Sequence, residues 1–184
     1  MALRVLETEA VAESALPMEA MAAQLRLADG WAQVPGEQAR IAARLRAAIV
    51  GIERRLGRMI LSREVVLGGL GGGGYLVLPL GPISALVSVE IDRGGGWEVV
   101  NGAALASGLY ASRVELTRPL APETPVRVTV RAGHAGWEAV PADLAQAVLH
   151  QAEALERGEE ASMARTIGEL IAPFRALRLR GAGA

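Results

Sequence analysis

The chain has 184 residues, about half of them apolar, with nineteen arginines, no lysine, no cysteine and a formal net charge of −1. This length fits one domain, or one domain with a substantial insertion, and such a chain buries roughly 70% of its unfolded surface. The composition excludes disulfides, thiolate nucleophiles, Schiff-base lysines and Walker-type phosphate binding, and the near-neutral charge is atypical of nucleic-acid-binding proteins. No segment has the roughly 20 apolar residues of a transmembrane helix, and the start of the chain is not typical of a signal or an anchor, so we expect a soluble protein.

The first third of the chain predicts an arm and two helices. Residues 1–16 are acidic and lack a helix cap, so we expect an arm that is either disordered or ordered only by a neighbour. A short helix is predicted from Pro17, because proline suits the first helical turn. A longer second helix follows, since apolar residues recur there at spacings of three and four, namely Ile41, Leu45, Ile49, Ile52 and Leu56.

The pattern changes to that of strands after residue 61. Runs rich in β-branched residues, several of them alternating with polar ones, predict strands at 63–67, 75–78, 85–91, 97–100, 109–112, 114–117 and 126–131. A third helix opens at Pro141 and ends at Gly158, and a short fourth helix from Arg165 to Leu170 precedes Pro173.

The predicted fold class is α+β. An antiparallel helical bundle of three to four helices, from residues 17–60 and 134–177, carries a small antiparallel β-sheet or sandwich domain over residues 61–133, inserted between the second and third main helices. We expect residues 178–184 to form a flexible basic tail.

The glycine-rich run from Gly68 to Gly74 contains a GxGxxG spacing at Gly69, Gly71 and Gly74. A dinucleotide-binding loop of this kind joins a strand to a helix. Here strands are predicted on both sides, so we interpret the run as a flexible hairpin tip.

The sequence contains no recognisable constellation of catalytic residues. His134 and His150 have no second ligand or relay partner at a suitable spacing, and we interpret the glutamates near the third helix end as solvated (Glu153, Glu156, Glu159 and Glu160). The sequence predicts no catalytic residue, no metal site and no cofactor.

Five arginines of the second helical segment fall in one sector away from its apolar stripe, namely Arg40, Arg44, Arg54, Arg55 and Arg58. Like charges at four-residue spacing repel, so a partner would stabilise them. Three candidates for this partner remain open: solvent, acidic residues of a neighbouring subunit such as Glu153 and Glu156, and nucleic acid. We rank the neighbour above nucleic acid, because aromatic residues for base stacking are absent.

The end of the chain interleaves apolar and basic side chains. We define the C-terminal strip as Phe174, Arg175, Leu177, Arg178, Leu179 and Arg180. This pattern is typical of a segment that adds to a partner surface, and the alternative is a frayed terminus.

The order of these parts resembles the head–tail connector family of phage adaptor proteins, including the gene transfer agent version. The resemblance spans nearly all of residues 17–180. It rests on Leu25-Arg26, Leu78-Pro79 with Pro82, residues 84–89 (SALVSV), residues 128–133 (VTVRAG), Val140-Pro141 and residues 172–175 (APFR). The chain departs from the family at His134, where an aromatic residue is usual, at Phe174, where tyrosine is frequent, and in its longer glycine run.

The resemblance implies a structural protein without enzymatic activity, located in the neck of a virion or phage-like particle that assembles in the bacterial cytoplasm. It implies a dodecameric ring that docks under the portal protein, contacts neighbouring copies and a downstream stopper or tail protein, and lets DNA pass without sequence-specific recognition. The C-terminal strip would be the portal-binding element. Two alternatives stay open: a head- or tail-completion protein one layer from the portal, and a nucleotide-binding protein that uses the glycine run.

Overall fold

The computed structural model describes residues 3–107 and 112–175 and divides the chain into two compact units. One unit comprises residues 1–12 and 58–136 and contains the strands, whereas the other comprises residues 13–57 and 137–184 and contains the α-helices. The described residues form four α-helices and a six-stranded antiparallel sheet, which confirms the α+β class.

The helical unit contains α1 (Met18–Leu25), α2 (Glu37–Leu56), α3 (Ala142–Arg157) and α4 (Glu160–Ile171). Helix α3 packs against the other three, and α1 also packs against α2. Their apolar faces form a core of small aliphatic side chains that includes Met21, Ile41, Leu45, Ile49, Ile52, Leu144, Val148, Ile167 and Ile171. The predicted stripe of α2 is therefore buried, as its three- and four-residue spacing requires.

Glycines set the ends of two helices. Gly57 and Gly158 have φ of 64° and 69°, a left-handed conformation that terminates α2 and α3. Helix α4 begins at Glu160, two residues after Gly158, and not at Arg165 as predicted. Its first turn has no buried residue, so apolar periodicity gives no sign of that turn.

The sheet unit contains β1 (Arg4–Thr8), β2 (Arg63–Val77), β3 (Ile83–Asp92), β4 (Trp97–Val99), β5 (Ala103–Ser107) and β6 (Ser112–Ala132). The order across the sheet is β1-β2-β6-β3-β4, and β5 pairs with the first part of β6. Alternate side chains form one core cluster, which includes Val65, Leu67, Leu76, Val89, Ile91, Val114, Val126, Val128 and Val130.

The long strands β2 and β6 each replace two predicted strands, because glycines and prolines that suggested breaks lie inside them. The β2–β6 register shifts between Gly71 and Gly73 and again between Gly73 and Tyr75. A Cβ on Gly71 would lie 2.9 Å from Leu76 Cδ2 and 3.0 Å from Val126 Cγ1. Side chains from both halves of the sheet thus meet over Gly71, where the sheet bends.

The interpretation of the glycine run as a hairpin tip is therefore wrong. It lies within a strand that pairs with β6 on both sides of the bend. Gly74 is followed by Tyr75 in the same strand, so no helix N-terminus faces the run, as a phosphate-binding loop would require.

The expectation of an unpaired N-terminal arm is also wrong, because β1 pairs with residues 65–68 of β2. Leu6 lies at a register shift, and its side chain covers Gly68 so closely that a Cβ there would overlap Leu6 Cδ1. All side chains of β1 are exposed, so apolar and polar residues do not alternate there as they do in a half-buried strand. The sequence therefore gives no strand pattern at this edge of the sheet. Residues 109–111 of the strand predicted at 109–112 lie outside the described part of the chain.

Candidate interaction surfaces

An ion-pair cluster joins α2 to α3 within one chain. Arg40 pairs with Glu37 of its own helix and with Glu156 of α3, and Arg44 Nε donates a hydrogen bond to Glu156 Oε2 at 3.0 Å. The hydrogen bond between Arg40 and Glu37 lowers the pKa of the Glu37 carboxyl and raises the pKa of the guanidinium. The acidic partner expected from a neighbouring subunit thus belongs to the same chain for Arg40 and Arg44.

The remaining members of the predicted arginine face separate into two places. Arg54 and Arg55 occupy the last turn of α2 and are exposed, and neither has a carboxylate partner within residues 3–107 and 112–175. Arg58 does not belong to this face, because the helix ends at Leu56 and Gly57 turns the chain. Arg58 lies in the sheet unit, where burial and the charge of Arg58 lower the pKa of His134.

Glu153 is buried, contrary to its interpretation as part of a solvated helix end. Its Oε2 accepts a 2.6 Å hydrogen bond from Gln24 Nε2 of α1, and its Oε1 lies 3.0 Å from Arg157 Nη2. His150 Nδ1 lies 3.8 Å from the same carboxylate. The glutamates of α3 therefore hold the helices together. Glu153 lies on the opposite side of α3 from Leu144, about 180° around the helix, so the apolar stripe gave no signal of its burial.

The C-terminal strip is described only at its start. Ala172–Phe174 forms a 3-10 turn after α4, with Phe174 partly buried and Arg175 exposed. Leu177, Arg178, Leu179 and Arg180 lie outside the described residues. The role predicted for this strip therefore stays a prediction.

Two aromatic–arginine pairs on the sheet were not anticipated from the sequence. The Arg127 guanidinium carbon lies 4.0 Å from the Trp97 ring centroid, and that of Arg113 lies 5.9 Å from the Tyr75 centroid. Trp97 and Tyr75 are both exposed. Exposed aromatic and arginine side chains are typical of protein interfaces. The partners lie on different strands, so only the sheet register reveals these pairs.

In the described ranges, no three His, Asp or Glu side chains are grouped to hold a metal ion. None of the helices in this part of the chain is long and apolar enough to span a membrane.

Comparison with solved structures identifies similar proteins over almost the full length. A chain in the neck of an empty gene transfer agent particle, computed with C6 symmetry, is 31% identical with a TM-score of 0.79. A chain in the virion of a native gene transfer agent particle is 30% identical with a TM-score of 0.77. A chain in the neck of a native particle, computed with C12 symmetry, is 25% identical with a TM-score of 0.69. Each match covers 99% of both chains.

No protein-family profile and no curated protein sequence matches the chain. The structural matches extend through both units and share about 30% of the sequence, so the similarity is not limited to one unit. The resemblance inferred from the sequence is thus confirmed: the chain belongs to the head–tail connector family of gene transfer agent neck proteins, and it is a structural component of a particle neck and not an enzyme.

Proposed function

We propose that the protein is the adaptor of the neck: a ring of twelve copies that docks under the portal, joins it to the next neck or tail protein, and lets DNA pass through its centre. The observation that carries this proposal is the end-to-end similarity to neck chains computed with C6 and C12 symmetry. Cyclic symmetry of this kind generates a closed ring when one copy contacts the next through two different surfaces.

Electrostatics supports a ring held mainly by protein contacts. Arg40 and Arg44 are already neutralised by Glu37 and Glu156 within the chain, which leaves Arg54 and Arg55 as exposed cations of α2. We assign these two side chains to acidic residues of the neighbouring copy, in preference to DNA. Sequence-independent DNA passage requires no specific base contact, and the near-neutral chain is suited to it.

The C-terminal strip is assigned to the portal. It follows α4, and its apolar and basic side chains suit a segment that adds to a surface of another protein. The surface that contacts the downstream neck or tail protein then lies elsewhere on the chain.

The proposal is tested by locating the protein in particles. A short epitope inserted after Gly95, in the exposed turn between β3 and β4, avoids both the C-terminal strip and the strands. Antibody-labelled particles viewed by electron microscopy should show one labelled ring directly below the portal. A neck without label in intact particles would contradict the proposal.

Tail-less heads separate the adaptor from a tail-completion protein, and copurification with the isolated portal protein separates it from a head-completion protein one layer away. An adaptor that binds the portal should be present on such heads and should copurify with the portal protein. A tail-completion protein should be absent from the heads and should copurify with the tail tube. The untagged wild-type protein, detected by mass spectrometry in both fractions, controls for any effect of the epitope.

A further inference from the structure

One end of the sheet is a three-stranded lobe with two free edges. The first part of β6 is flanked by residues 73–77 of β2 on one side and by β5 on the other. Within the described residues, no strand pairs with the outer side of either flanking segment. We call these the β2 edge (residues 73–77) and the β5 edge (residues 103–107).

Neither edge carries the features that usually prevent strand addition. The β2 edge reads GGYLV and the β5 edge reads AALAS, so neither contains a charged residue or a proline. Free edges in natural sheets are commonly protected by such residues, because unpaired N–H and C=O groups otherwise recruit another strand. Two unprotected edges on one lobe therefore indicate that both have a partner in the assembled state.

Residues of the two edges that lie opposite the same residue of β6 differ in side-chain size. Tyr75 and Ala104 both lie opposite Glu115 of β6, and Val77 and Ala106 both lie opposite Arg113. Tyr75 is 57% exposed and Val77 is 50% exposed. The β2 edge thus presents large side chains where the β5 edge presents alanines.

A groove beside the β5 edge provides space for an added strand. Its volume is about 420 Å³, and residues 84–89, residues 99–103 and Leu105 line it. Val87 and Val99, at 51% and 63% exposure, lie in these segments and are the apolar side chains that an added strand would cover. The groove has no arginine in its lining, so an uncharged strand fits it better than an acidic one.

We propose that the β2 edge of one copy pairs with the β5 edge of the next copy, so that the sheets of the ring join side by side. This inference rests on the ring proposed above, because cyclic symmetry requires two different, complementary surfaces on each copy. Neighbours in a twelve-copy ring differ by a rotation of about 30°, which nearly preserves strand direction. β2 and β5 are both antiparallel to β6, so the two edges meet as parallel strands.

Cysteine cross-linking in assembled particles tests the pairing, and the chain has no native cysteine to interfere. Tyr75→Cys is combined with Ala104→Cys, and in a second protein with Ala106→Cys to cover a shift in register. Within one copy the two positions are separated by two strand spacings, about 10 Å, which is beyond the roughly 7 Å that a disulfide bridges. Oxidation of particles should therefore yield a ladder of covalent oligomers from at least one pair.

The control pair is Val5→Cys with Ala104→Cys, because Val5 is similarly exposed but pairs with Leu67 of β2, eight residues along that strand from Tyr75. It should remain monomeric on oxidation, as should each single variant. If the epitope places the protein in the neck ring but neither pair cross-links, the edge pairing is wrong and the ring stands. If the protein is absent from the neck, the proposed function itself fails, and the edge pairing fails with it.

A charge at the β2 edge provides a second, independent readout. Val77→Asp places an exposed carboxylate where the neighbour should cover an apolar side chain, and we expect at least about tenfold fewer copies per particle, equivalent to about 1.4 kcal/mol. Val34→Asp makes the same change at an equally exposed site and should incorporate normally. Equal incorporation of the two folded variants would overturn the inference.

Discussion

Gly133 occupies a position that excludes any side chain. Its φ is 114°, and a Cβ there would overlap the carbonyl group of Leu61 and lie 2.6 Å from the Ser62 amide nitrogen. The amide of Gly133 also donates a 2.8 Å hydrogen bond to the Pro82 carbonyl. The end of β6 is therefore packed directly against backbone, which cannot move aside as a side chain can.

We expect Gly133→Ala to destabilise the protein by about 3 kcal/mol or more, because strained backbone and a backbone clash add together. Denaturant unfolding monitored by circular dichroism measures this. Gly136→Ala is the matched control, since no atom lies within 4 Å of its added Cβ and its backbone is not left-handed. A Gly133→Ala protein as stable as this control would refute the packing described.

His134 makes stability depend on pH. Burial, followed by the charge of Arg58, lowers its pKa from the ordinary value of 6.5, so the folded state disfavours the protonated ring. As pH falls below that ordinary value, the unfolded chain takes up the proton first, and stability is lost. At higher pH the ring is neutral in both states and makes no such contribution.

The variant His134→Gln should therefore lose less unfolding free energy than the wild type between about pH 7.5 and pH 5. The carboxylates and His150 are common to both proteins, so the difference between their pH profiles isolates His134. Denaturant midpoints at a series of pH values provide the measurement. Parallel profiles would show that His134 titrates alike in the folded and unfolded chains.

At the scale of elements, the Arg40–Glu156–Arg44 cluster fixes how α2 meets α3. Glu156 is the shared acceptor, so Glu156→Gln removes both ion pairs and leaves two arginines near each other. Because the arginines are more than a third exposed, we expect a cost of no more than about 1 kcal/mol. That cost should shrink as salt is raised towards about 1 M, because exposed ion pairs are screened.

Glu138→Gln is the control for this prediction. Glu138 is exposed, and it makes no ion pair with any described residue. Its substitution should change stability little, with no added salt dependence. A loss at Glu156 that is as large in high salt as in low salt would indicate a packing role in place of an electrostatic one.

The elements differ in how far the sequence predicted them. Helix α2 was predicted well, because its three- and four-residue apolar spacing is local information and its burial follows from it. The glycine run was misinterpreted, because what decides its structure is the meeting of Leu76 and Val126 above Gly71, a contact between residues far apart in the sequence. Glycine permits a hairpin tip and a bend within a strand equally well.

For the interaction surfaces too, the sequence predicted the local features but not the long-range contacts. The sequence predicted which arginines lie on one side of α2, but the pairing of Arg40 and Arg44 with Glu156 depends on the packing of α2 on α3. Arg58 was assigned to that face because periodicity alone does not reveal that Gly57 ends the helix. The free β2 and β5 edges likewise exist only in the assembled sheet register, which no local pattern encodes.

At the scale of the whole molecule, the C-terminal strip should be separable from the fold. The buried residues of α4 are Ile167 and Ile171, both upstream of the strip. Removing residues 176–184 keeps these and the partly buried Phe174. We therefore expect the truncated protein to unfold within about 0.5 kcal/mol of the full chain, as measured by denaturant titration.

The same truncation should abolish copurification with the portal protein, because it removes Leu177, Arg178, Leu179 and Arg180 from the proposed contact. Leu177→Ser with Leu179→Ser, which keeps the arginines, separates the apolar part of that contact from the charged part. If the apolar side chains anchor the strip, the double variant should fail to bind at any salt concentration, whereas an electrostatic contact should survive in low salt and be lost as salt rises. Undiminished portal binding by the truncated protein would instead assign the portal contact to another surface, and the strip would then be a frayed terminus.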